Sequence, residues 1–112
     1  MTKEVLIDKL KTYKIDKAKM EILKLKVEQF DREKQIEINN TIDDIHITTR
    51  MIDIAIKSLT EADKEFIKYK CHENMTIDDI AARKLIGTAT VTRQNNLILN
   101  KILEIINVEV PS

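Results

Sequence analysis

The one cysteine and the two histidines are the residues most open to metal or nucleophilic chemistry. Cys71 and His72 are adjacent, and His46 stands well apart from them. A structural zinc site takes four Cys or His ligands, and only three such residues exist here. Neighbouring side chains diverge on a helix, so Cys71 and His72 do not make a nucleophile and its base either. Cys71 reads instead as a small core residue. Two acid pairs, Asp43-Asp44 and Asp78-Asp79, could serve proton transfer. Each follows a threonine, Thr41 or Thr76, which places both pairs in first helical turns, where the helix dipole favours acids. No catalytic residue, metal or cofactor is expected, and no enzyme.

A third set of residues points to nucleic acid. The chain has 19 basic and 19 acidic residues, so its net charge is zero. Yet residues 83–103 carry Arg83, Lys84, Arg93 and Lys101 and no Asp or Glu. Local positive charge is what a phosphate-facing surface requires. Among these cations stand Thr88, Ala89, Thr90, Thr92, Gln94 and Asn96. Arg pairs with guanine, Gln and Asn with adenine, and the methyls of Thr and Ala meet the thymine methyl. Thr88, Ala89, Thr90, Thr92, Arg93, Gln94 and Asn96 are therefore candidate base contacts, with Arg93 foremost. Arg83, Lys84 and Lys101 are candidate phosphate contacts. Asn95 falls nearer the inner face and ranks below its neighbours. The plain alternative for each is a solvated helix surface.

Threonines mark the elements that would position these residues. Thr60, Thr76 and Thr88 each precede a helical pattern and can accept a first-turn N–H. Thr60 and Thr76 also have an acid three residues on, Asp63 and Asp79, which resembles a capping box. The implied helices run over about 61–73, 77–85 and 89–107, with Gly87, the only glycine, before the third. Three helices with a tight turn between the second and third suggest a helix-turn-helix. Phe66, Ile67, Tyr69 and Cys71 supply the core of the first helix. Ile77, Ile80, Ala81 and Leu85 supply the second, and Val91, Ile98, Ile102 and Ile105 the third. Ile86 is expected to plug the gap at the turn.

These segments resemble a known family. Leu59-Thr60-Glu61-Ala62-Asp63-Lys64-Glu65-Phe66-Ile67 resembles the opening of sigma factor region 4. Asp79-Ile80-Ala81 is similar to its second-helix signature, and Thr90-Val91-Thr92-Arg93 to the start of its recognition helix. The family has Leu-Gly four and five residues after the isoleucine, where this chain has Lys84 and Leu85. Further upstream, residues 9–19 are similar to the start of ArpU- and RinA-like activators of late phage genes. The resemblance implies a phage or prophage transcriptional regulator whose third helix enters the major groove of double-stranded DNA.

Residues 1–58 form an N-terminal helical region ahead of the helix-turn-helix region 59–112. Leu6, Leu10, Tyr13, Ala18, Ile22, Leu25 and Gln29 make a partial heptad, with a break expected near Ile15. A further helix is expected to start at Thr41, with Ile42, Ile45, Thr49, Ile52 and Ile56 as its stripe. The open roles for this region are support, homodimerisation and contact with RNA polymerase. One Gly and one Pro leave too few turns for a sandwich or barrel, so the expected class is all-α. The single cysteine and the lack of an apolar leader fit a cytoplasmic setting, and no stretch reaches the ~20 apolar residues of a membrane span. The competing reading is a helical protein–protein module, such as a polymerase-binding or antagonist protein, that does not touch DNA.

Overall fold

The computed structural model describes residues 1–111. They form five α-helices, and among the described residues there is no β-strand. The protein is all-α.

Helix α1 (Lys3–Lys26) begins at Thr2, whose Oγ1 accepts from the Val5 amide at 3.2 Å. It passes Ile15 and Asp16 unbroken, because neither residue opposes a helix. The chain bends at Val27–Gln29, a short 3₁₀ turn, and re-enters helix at Asp31. The Asp31 carboxylate accepts from the Lys34 amide at 2.9 Å and caps α2 (Arg32–Lys57). The break thus lies at the hairpin tip and not near Ile15. Helix α2 also absorbs Asn39-Asn40-Thr41. Thr41 does not cap anything: its hydroxyl donates to the Glu37 carbonyl one turn back, at 3.2 Å. Asp43 and Asp44 are therefore exposed mid-helix residues, and the dipole does not explain them.

The second half follows expectation more closely. Helix α3 (Glu61–Ile67) runs into one π turn, Lys68–His72. Then come α4 (Ile77–Lys84) and α5 (Thr88–Ile106). Thr60 Oγ1 accepts from the Asp63 amide, and Thr76 Oγ1 from the Asp79 amide. Only the second pair closes a full capping box, with Asp79 accepting from the Thr76 amide at 3.0 Å. Thr88 is the first residue of α5 and not its cap. The cap is Gly87, which has no side chain to offer.

The turn between α4 and α5 departs from expectation. Leu85 adopts the left-handed conformation, with φ 57°. Its amide donates to the Ala82 carbonyl, and the Ile86 amide donates to the Ala81 carbonyl at 3.0 Å. This is a Schellman ending with leucine where glycine is usual. Gly87 has φ −73°, so its conformation does not need glycine. The left-handed backbone turns Leu85 outward, and it is 91% exposed and not in the core. Ile86 is also exposed and does not plug the gap.

One core joins both halves of the chain. Leu6, Leu10 and Tyr13 of α1 and Ile52 and Ala55 of α2 are buried with Phe66, Ile80, Val91, Ile98 and Ile102. Leu99, absent from the expected core, is buried with them. Burying each large side chain is worth about 1.5–3 kcal/mol, so α1 and α2 contribute much of what holds α3 to α5 in place. A second cluster, Met20, Ile38 and Ile42, ties the distal parts of α1 and α2 together. Ile22 and Leu25, expected on an inner stripe, are exposed, because α1 turns Met20 and Leu23 toward α2 instead. The α1–α2 hairpin makes the molecule long, with extents of 55 × 37 × 22 Å. Its radius of gyration is 17.0 Å, against about 13 Å for a compact chain of this length.

Candidate nucleic-acid interface

Helix α5 has two faces. Val91, Ile98, Leu99 and Ile102 are buried. Opposite them, Ala89, Arg93, Asn96 and Asn100 are exposed at spacings of one turn. Thr88, Thr90 and Thr92 are exposed beside this line, while Gln94 and Asn95 are half-buried. No acid falls in the first half of α5; the first along it is Glu104, about three turns past Arg93. No side chain caps the first-turn amides of α5.

The candidate phosphate contacts are placed differently from one another. The exposed Arg83 guanidinium sits over the Tyr69 ring, 4.7 Å from its centroid. Lys84 is half-buried at the end of α4. Lys101 donates to Asp63 Oδ2 at 2.9 Å. Asp63 is buried, so this pair is well placed to fasten α5 to the start of α3. Lys101's charge is thereby occupied, unlike that of Arg83 and Arg93. The candidates thus separate into an exposed group along the first half of α5, with Arg83 near the preceding turn, and Lys101 on another side.

Two residues of α1 that the sequence reading did not single out lie against this helix. Lys3 Nζ donates to Asn96 Oδ1 at 3.0 Å. Lys11 lines a crease with Lys70, Asn95 and Leu99. No local signal marks them, since 93 positions separate Lys3 from Asn96.

Cys71 and His72 lie in the π turn. Burial pushes the Cys71 thiol above its ordinary value, partly offset by Lys70 and Lys11, so the thiolate is disfavoured. The His72 ring stacks on Tyr13 with centroids 5.9 Å apart, and its buried Nε2 has no hydrogen-bond partner among the described residues. Burial, then Lys14, Lys17 and Lys68, hold it below the ordinary histidine value. Lys17 itself lies over the Tyr13 ring and pairs with Asp53 at 2.9 Å. Among the described residues, no three His, Cys, Asp or Glu side chains are grouped to hold a metal. No helix among them is long and apolar enough to cross a membrane. Set against protein-family models, curated proteins and solved structures, the chain matches none.

Proposed function

We propose that the chain is a sequence-specific regulator that binds double-stranded DNA, with α4 and α5 as a helix-turn-helix and α5 in the major groove. The observation that carries this reading is the acid-free, exposed face of the first half of α5: Thr88, Ala89, Thr92, Arg93 and Asn96. In this docking mode the N-terminal part of the second helix meets base edges. Arg93 is the group best suited to a bidentate contact with guanine. The uncapped start of α5 offers free amides and the positive end of a helix dipole to a phosphate. Arg83 and Lys84 take phosphate roles, and Lys101 leaves that set because Asp63 holds it. Transcription control in a phage or prophage, which the sequence resemblance implies, belongs to the same proposal.

A second reading has its own support. Leu85, Ile86 and Leu97 are exposed at the turn and on α5, and apolar groups at a surface suit a protein partner such as RNA polymerase. Salt separates the two readings. Selection of bound duplexes from a random pool, followed by titration at several salt concentrations, should give a preferred site. Affinity should fall with a slope near −0.9 in log–log form for each phosphate contacted. Retention of no duplex, or binding indifferent to salt, would favour the protein–protein reading.

A further inference from the structure

Residues 3, 7, 11 and 14 share one flank of a helix. On α1 they are Lys3, Ile7, Lys11 and Lys14. Ile7 packs against the main core, so this flank leans on the body of the protein and its lysines rim it. Two contacts show where the rim lies. Lys3 reaches Asn96 on the exposed face of α5 at 3.0 Å. Lys11 shares a crease with Lys70 of the π turn and with Asn95 and Leu99 of α5.

Among the described residues, no carboxylate pairs with this rim. Lys17, Lys24, Lys34, Lys64 and Lys101 are in ion pairs. Among the described residues, none of Lys3, Lys11, Lys14 and Lys70 is so paired. Lys3 thus lies at the exposed face of α5, Lys11 and Lys70 lie beside its middle at Asn95 and Leu99, and Lys14 continues the row one turn along α1, where it shares a hollow with Lys11, Cys71 and His72.

We infer that α1, with the π turn beside it, forms a second wall of the nucleic-acid interface, in which Lys3, Lys11 and Lys14 of α1 and Lys70 of the turn bind the phosphates of the duplex whose groove α5 enters. The inference rests on the DNA-binding reading and adds the N-terminal helix to it. At 1.5 Å per residue, Lys3 to Lys14 spans roughly 16 Å along α1. Phosphates of one strand recur about every 3.4 Å along the duplex axis, so the rim can meet several in succession. Ammonium groups act there as point charges that position the protein without reading sequence. The Lys3–Asn96 bond fixes the near end of the wall against the reading helix.

The test compares full-length variants on duplex DNA. Lys11→Gln with Lys14→Gln removes two charges from the rim. Lys19→Gln with Lys26→Gln removes two from another face of α1, where they flank Ile15 and Ile22. The rim variant should lose roughly ten-fold in affinity at moderate salt and reduce the salt slope by about two, on all sequences alike. The control should keep the affinity and slope of the unaltered chain. Circular dichroism checks that both remain helical. If the unaltered chain binds duplex but the rim variant binds as well, or the control falls equally, α1 is not a wall and the proposal fails alone. If the unaltered chain binds no duplex, the DNA-binding reading fails and takes this inference with it. Retention of polyglutamate in place of duplex would overturn it in favour of an acidic protein partner.

Discussion

Leu85 holds a left-handed position with its side chain in solvent, so it bears backbone strain without gaining packing. A left-handed L-residue costs about 1–2 kcal/mol, and glycine's extra freedom in the unfolded chain takes back about 0.4–1 kcal/mol. Leu85→Gly should therefore stabilise the fold by roughly 0.5–1 kcal/mol, read as a higher urea midpoint at unchanged slope. A lower midpoint would mean that the Leu85 side chain contributes contacts after all. His72 gives a second prediction. Its folded value lies below the ordinary 6.5, so folding favours the neutral ring. That stability is full above pH 6.5 and is lost as pH falls through the lower folded value. Denaturation midpoints at about pH 8 and about pH 5 should differ, and His72→Gln should narrow the difference. The sequence hid both residues for physical reasons. The lone glycine drew attention to position 87, while the strained backbone sits two residues earlier at a leucine. His72's isolation arises from Tyr13 and the lysines of α1, far along the chain.

Helix starts divide into those that sequence spacing reveals and those it imitates. Thr76 and Asp79 make a reciprocal cap, and Thr76→Ala should cost about 1 kcal/mol in thermal or urea unfolding. The Asp79 carboxylate is held below its ordinary 3.8, chiefly by the backbone hydrogen bond from Thr76. Its contribution is present above pH 3.8 and lost as pH falls through the lower folded value. Thr76→Ala keeps the amide that makes this bond and loses only the hydroxyl, so most of that acid-side loss should remain there, whereas Asp79→Asn should remove it. An acid profile unchanged in Asp79→Asn would show that the bond does not persist in solution. Thr41 and Asp44 have the same spacing but start nothing, because α2 is already under way from Asp31. Asp31 was itself a readable cap, yet no glycine or proline marked the bend before it. The helices after Leu59 were legible because caps and apolar period agree there. The α1–α2 hairpin was not, because its bend is made by ordinary residues.

Across the whole molecule, the shared core makes the two regions interdependent. Leu6 and Leu10 are fully buried on α1 against helices some 60 to 90 positions away. Leu6→Ala in the intact chain should cost about 2–5 kcal/mol, a large share of the roughly 5–15 kcal/mol that holds a typical domain. A loss below 1 kcal/mol, measured by urea unfolding, would mean that α3 to α5 stand without α1. The all-α class was legible from composition and period. The pairings of Lys3 with Asn96 and of Asp63 with Lys101 were not, since helix crossings set them and no local pattern does. Asn96 was expected at a base edge and Lys101 at a phosphate. Folding leaves the first exposed beside Lys3 and fixes the second to α3.

Whether α5 reads DNA through Arg93 is decided by titrating the intact chain and Arg93→Ala against the selected duplex and its single-base-pair variants. Arg93→Ala should lose roughly 1–3 kcal/mol on the preferred site, with preference relaxed at one base pair and kept at the others. Equal affinity of both proteins for every duplex, or an equal loss on all of them, would show that Arg93 reads no base.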